Sequence, residues 1–176
     1  MNLKKDQDNT LASEVESNHW ARRKVPFAII TSDSDFPELT EQELKILFTG
    51  SYQMSQAVSY LAEMMDENEK ITFHYLKITP NIIKLDVRSR HINSKTYHCF
   101  IEYQPDKNDI SGITRYCCDC ANGRRTVECC SHIAAIIYYL SYARYSAKIV
   151  RPAEILSCLF IDQKISVVVN EDSDED

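Results

Sequence analysis

The sequence predicts an α+β fold: helices first, then a small antiparallel sheet, then a cysteine-rich unit that runs into a further helix. Three observations predict it. Apolar residues recur three and four apart between Thr40 and Met65, the spacing of helices that bury one stripe. From Ile71 the apolar period falls to two, the spacing of strands. Five of the seven cysteines then crowd into "YCCDCANGRRTVECCSH", Tyr116 to His132.

With 176 residues, 44% of them hydrophobic and 26% charged, the chain suits one globular domain and a tail. No run of 18 apolar residues occurs, so no membrane span is expected. The first twenty residues lack the apolar core of a signal peptide. An intracellular, reducing setting is therefore expected, where clustered cysteines serve metal binding or packing rather than disulfides. Gly50, Gly112 and Gly123 are the only glycines, too few for either glycine-rich phosphate loop, so no nucleotide cofactor is expected. The net charge of −6 hides a division. Residues 1–69 carry 6 basic and 13 acidic side chains, residues 70–151 carry 13 and 6, and residues 152–176 carry 1 and 7. A basic middle between acidic ends suits an anionic partner; a solvated surface with chance asymmetry is the plainer alternative.

Taken in order, residues 1–35 are polar and aperiodic and are expected to be disordered. Within them "RRK" is a short basic loop or an import signal. Thr40 and Glu43 stand at capping-box spacing, and Leu44, Leu47 and Phe48 form the stripe of a helix that Gly50 ends. Met54, Ala57, Val58, Leu61, Met64 and Met65 make the stripe of a second helix. This pair carries more acid than base and would repel phosphates, which argues against a DNA-reading helix-turn-helix. "ITFHYLKI", "IIKLDVRSR" and "TYHCFIEYQ" read as three antiparallel strands, one face buried, the other wet and partly basic. His74, His91 and His98 lack ligand spacing and read as ordinary strand and loop residues.

Cys118-Asp119-Cys120 and Cys130-Ser131-His132 form two close pairs separated by a bend at Gly123. Zinc takes four thiolate or imidazole ligands in a tetrahedron, and two such pairs can pin two chain segments to one ion. The expected unit is ββα: two short strands, a turn, and a helix from about Ser131 that supplies the last ligand from its first turn. Ile133, Ile136, Ile137 and Leu140 give that helix its apolar stripe. Neighbouring side chains of an extended segment point oppositely, so Cys117 and Cys129 should turn away from the ion and pack as small apolar residues. Three thiolates, one imidazole and Zn²⁺ leave a charge of −1, which Arg124 and Arg125 can offset.

Cys-x-Cys, a variable gap and Cys-x-His is the pattern of the SWIM-type zinc finger, and the chain resembles that family over roughly residues 37–157. Members occur in MuDR-like transposases, chromatin remodellers and ubiquitin-ligase-like signalling proteins. The wider string "YCCDCANGRRTVECCSHIAAIIYYLSYAR" is similar to segments of uncharacterised transposon-associated proteins of invertebrates. The resemblance implies Cys118, Cys120, Cys130 and His132 as the zinc ligands, a nuclear role in binding DNA or protein, and no catalysis by the metal. The longer relatives continue into a nuclease-like domain, whereas this sequence ends in "NEDSDED" with no acidic set for a two-metal nuclease, so transposase activity is not expected.

The organisation expected is a disordered segment 1–35, a helix pair with sheet over 36–112, the finger over 113–147, a helix and extended segment over 148–169, and an acidic tail 170–176. Arg124, Arg125, Arg144, Lys148 and Arg151 are the candidate phosphate contacts, and Tyr138, Tyr139, Tyr142 and Tyr145 either stack on bases or pack. Cys158 belongs to an apolar run and reads as core. The function expected is a non-catalytic zinc-binding protein contacting DNA, with a protein–protein adaptor as the alternative. A catalytic cysteine with His132 as its base is disfavoured, since no third orienting group accompanies them.

Overall fold

Both faces of a strand ladder need cover once its alternate residues are apolar, and the register shows what covers each. The structure, a computed structural model, describes residues 10–25, 35–67, 71–89, 95–125 and 129–146. Strands β1 (Tyr75–Thr79), β2 (Ile82–Arg88), β3 (Thr96–Tyr103) and β4 (Ile113–Cys118) form one antiparallel sheet in chain order. Register pairs Leu85 with Cys99 and Cys99 with Cys118, so one row of side chains runs across three strands on a single face. On that face Ile83, Leu85, Val87, Cys99, Ile101 and Cys118 pack into the main core.

Helices cover this face. Helix α2 (Glu41–Leu47) opens on the predicted capping box: Thr40 Oγ1 accepts from the Glu43 N–H at 3.3 Å, and Glu43 Oε2 accepts from the Thr40 N–H at 2.8 Å. Gly50, at φ 138°, makes the turn into α3 (Ser51–Met64), a backbone angle that side chains disfavour. The stripe Met54, Ala57, Val58 and Leu61 is buried, as its spacing predicts, and Tyr60 joins it, its hydroxyl donating to the Arg88 carbonyl. Helix α3 packs against α5 (Ser131–Ser141), which buries Ile133, Ile136, Ile137 and Leu140. Full burial of four such side chains is worth about 6–12 kcal/mol before the entropy cost of ordering, so α5 has a strong hold on the core by packing alone.

The second face differs from the sequence reading. Helix α1 (Thr10–Ser17) and a 3-10 turn at Trp20–Arg22 lie within the segment expected to be disordered. Leu11, Val15 and Trp20 pack there against Ile82, Phe100 and Cys117, so the middle of the supposedly wet face is covered. The polar partners are buried too. Lys84 is only 1% exposed; its ammonium donates to the carbonyls of Ala21 at 2.9 Å and Arg23 at 2.6 Å and lies 3.3 Å from Asp86 Oδ1. Arg115 staples α1 to the sheet through Glu14 Oε1 at 2.6 Å and Glu102 Oε2 at 2.7 Å. Short polar segments give little periodic signal by themselves, and this one is ordered by what it docks on.

The cysteine-rich unit also departs from ββα. Its first strand is β4, the last strand of the sheet; a short helix α4 (Ala121–Arg125) occupies the connection expected around Gly123, and no second short strand follows among the described residues. The segment after Pro152, the acidic tail, His91 and Cys158 lie outside the described residues.

Candidate metal centre

Strand alternation sorts the first two cysteines. Cys117 points into the cluster with Leu11 and Trp20, while its neighbour Cys118 points to the opposite face. Beyond Cys118 the chain leaves the sheet, and Asp119 fixes the exit: its Oδ1 accepts from the His98 N–H at 2.9 Å, and its own N–H donates to the His98 carbonyl at 3.2 Å. The His98 ring is held in turn by Asp86 Oδ1 at 2.7 Å from Nδ1. Cys120 therefore returns to the same side as Cys118. From the far side, Cys130 caps α5 in an extended conformation and His132 follows in the first helical turn, as predicted.

The result is a compact donor set. The ligand atoms of Cys118, Cys120, Cys130 and His132 all lie within 4.8 Å of one another. His132 Nδ1 is 3.8 Å from Cys118 Sγ and 3.9 Å from Cys130 Sγ. A tetrahedral ion with bonds of about 2.3 Å to sulfur and about 2.05 Å to nitrogen sets S···S near about 3.8 Å and S···N near about 3.6 Å, so the four donors fit one ion with small adjustments. The His132 ring is set by Tyr60, edge-on at 5.1 Å between centroids, and by Tyr97, tilted at 4.6 Å. The Gly123 N–H donates to Cys120 Sγ at 3.1 Å and the Cys120 N–H to Cys118 Sγ at 3.5 Å, a setting that favours negative sulfur.

The protonation of the sulfurs tells the same story. Hydrogen bonds from Cys118 and then Cys130 hold the Cys120 thiol far below its ordinary range. Cys118 is pushed far above that range by its bond to Cys120, and Cys130 by its bonds to Cys118 and Cys120. A cation bound by these sulfurs displaces their protons, so metal affinity here depends on pH. The remaining thiols are neutral. Burial pushes Cys99 up to about 11, Cys117 up to about 12 and Cys129 well above its ordinary value. Cys129 stands outside the donor set, its thiol directed at the Cys130 carbonyl at 3.5 Å.

Of the candidate phosphate contacts, only Arg144 has its side chain among the described residues. Arg124 and Arg125 belong to α4, within the chain that links the two ligand pairs. Arg144 donates to the Phe36 carbonyl at 3.1 Å and lies over the Tyr145 ring at 4.6 Å, so it ties α5's end to the core. Lys148 and Arg151 lie outside the described residues. Tyr138, Tyr139 and Tyr142 pack against the main core, the use of these rings that was the plainer of the two; Tyr145 is exposed. Part of the basic middle is spent internally, on Lys84, Arg115 and the Lys77–Asp35 pair at 2.8 Å. Sequence reasoning missed Cys99, whose Sγ lies 3.6 Å from Cys118 Sγ, and missed Asp86, His98 and Asp119 as the residues that position the loop. Only the β2–β3–β4 register, invisible to local motifs, brings them to the site.

Fold and site together define an α+β protein with a buried Cys₃His cluster able to hold a metal ion. No protein-family model matches the chain, and neither a curated protein nor a solved structure gives a significant match. Among the described residues no helix is long and apolar enough to cross a membrane.

Proposed function

We propose that this chain is a SWIM-type zinc protein of transposon-like origin, in which the ion is structural and the surface around it contacts DNA in the nucleus. The observation that carries the metal reading is the convergence of four donors within 4.8 Å from two separate chain segments. Three thiolates and an imidazole favour zinc by softness and geometry, and they fill all four places of a tetrahedron. A filled shell leaves no open position for substrate, so the role assigned to the ion is to hold the chain rather than to catalyse.

The DNA reading rests on charge next to the centre. Arg124 and Arg125 follow Cys120 by four and five residues, at the end of α4, and Lys95 stands over Tyr97, the ring that packs on His132. With zinc bound the centre would carry a charge of −1, and basic groups of this part of the chain that are not used to balance it would meet phosphate. The test is a salt titration of zinc-loaded protein against single- and double-stranded DNA, with Arg124→Ala plus Arg125→Ala alongside. Affinity should fall steeply with salt, and the double variant should weaken binding alike across sequences. Salt-independent or undetectable binding overturns it. A protein-adaptor role is the second reading, favoured by Ile46 at 61% and Tyr52 at 72% exposure on adjoining helices; large exposed apolar residues are the usual anchors of protein contacts.

A further inference from the structure

Cys99 is a residue without a task in the metal site. It belongs to neither ligand pair, and it is fully buried. Yet the sheet register sets it directly opposite Cys118, with the two sulfurs 3.6 Å apart. Opposed residues of antiparallel strands hold their Cα atoms about 4.5–5.5 Å apart, inside the span of about 4.4–6.8 Å that a disulfide needs. Both side chains stand on the core face of the sheet and both are free thiols. Bond formation requires the sulfurs to close to about 2.05 Å, a side-chain movement between two strands whose backbones are already in place. Among the described residues no other cysteine is paired with Cys118 in the sheet register, although Cys120 and Cys130 also bring their sulfurs within 4.8 Å of it. Cys117 projects from the opposite face, Cys129 is directed at the Cys130 carbonyl, and Cys130 comes from the far side of the loop.

We infer that Cys99 and Cys118 form a redox pair: a peroxide oxidises Cys118, the metal leaves, and a Cys99–Cys118 cross-strand disulfide closes in its place. The inference rests on the zinc reading above and adds to it a modification site and the class of reagent that acts there. In the first step the Cys118 thiolate attacks one peroxide oxygen. The O–O bond breaks, Cys118 becomes a sulfenic acid, and the leaving hydroxide takes up a proton to become water. In the second step the Cys99 sulfur attacks the Cys118 sulfur. The S–S bond forms, the S–O bond breaks, and the Cys99 proton leaves with that oxygen as a second water. The two sulfurs lose two electrons and the peroxide gains them. Cys118 ceases to be a ligand at the first step, so the metal is released before the disulfide closes. A thiol reductant with added zinc reverses the sequence.

The test uses the full zinc-loaded chain titrated with hydrogen peroxide. Zinc release is followed with a colorimetric chelator, and disulfides are mapped by peptide mass spectrometry after alkylation of free thiols. The expected result is one Cys99–Cys118 disulfide for each zinc released, with zinc uptake restored by reductant. Cys99→Ser, or Cys99→Ala if the serine destabilises the core, should still release zinc but should lose both the cross-link and most of the recovery. Cys99 remaining fully alkylatable while the ligand cysteines couple among themselves overturns the inference, whatever the variants do. Should the chain carry no metal as purified, the zinc reading fails by itself, and the same mapping on that material still decides the sulfur pair.

Discussion

Cys117 and Cys118 are neighbours in sequence and opposites in the fold, which makes their alanine variants a sharp test of the metal assignment. Cys118→Ala removes one of four ligands. The metal joins β4 to α5 across the chain between Cys118 and Cys130, and a cross-link closing a loop of about 15 residues is worth about 3 kcal/mol. Mass action gives a similar figure: zinc at a thousand times its dissociation constant stabilises by about 4 kcal/mol. In a chain of this length 1 kcal/mol moves Tm by about 2–4 °C, so Cys118→Ala should lower Tm by about 6–16 °C. Cys117→Ala removes only a buried sulfur from the α1 side of the sheet, at a cost of about 1 kcal/mol, or about 2–4 °C. The assay pairs elemental analysis with calorimetry, with and without EDTA. Cys117→Ala should keep one equivalent of zinc and an EDTA-sensitive melt; Cys118→Ala should have neither. Both should retain native helix and strand signal, because the face of α5 stays packed on α3. Metal lost from the Cys117 variant, or kept unchanged by the Cys118 variant, refutes the reasoning.

Three further outcomes follow from the same geometry. Gly123→Ala places a Cβ 2.6 Å from the Cys118 carbonyl oxygen and 2.9 Å from Cys118 Cβ, a backbone clash that must displace the ligand loop; chelator competition should show zinc affinity down by about 10–100-fold. Lys84→Met leaves the Ala21 and Arg23 carbonyls without their buried donor, at about 1–3 kcal/mol each, and limited trypsin digestion should cut faster after Arg22 and Arg23 while one equivalent of zinc is retained. The Arg115 guanidinium, by hydrogen bonding, holds the Glu102 carboxyl below its ordinary value. A depressed carboxyl contributes stability that is present above its unfolded value, about 4.3, and is lost as pH falls through the folded one. Melts in chelator between pH 6 and 3 should therefore fall more steeply for the wild type than for Glu102→Gln; parallel curves would count against the ion pair.

Sequence pattern reveals those features whose cause is local. The Thr40–Glu43 cap, the α3 and α5 stripes and the three alternating strands are each set by residues within a turn or two of one another, and each is found where its spacing places it except that the first strand starts at Tyr75 rather than Ile71. The donor set is legible for the same reason, since two close pairs and a bend lie within fifteen residues of chain. What stays hidden is tertiary. Leu11, Val15 and Trp20 form no convincing stripe until a sheet face of Ile82, Phe100 and Cys117 is there to receive them. Lys84 reads as an outward-facing strand lysine, yet the carbonyls of a distant segment take its charge into the interior. Cys99, nineteen residues from Cys118 in sequence, reaches it only through register.

These long-range contacts also define what the metal has to do. In a free-standing zinc finger the ion supplies the core, and the peptide unfolds without it. Here the ligands hang on elements that have other reasons to be in place: Cys118 on a strand paired to β3, Cys130 and His132 at the start of a helix buried along α3. Between them lies the chain from Asp119 to Cys129, tethered at its first residue by His98 and carrying Arg124 and Arg125 on its short helix. An ion held by the four donors would therefore act on that connection, tying together the ends of the segment that carries the two arginines. The same logic explains why a disulfide between Cys99 and Cys118 can stand in for metal without dismantling the fold: it joins two strands already paired, while releasing the loop whose ends the metal had gathered.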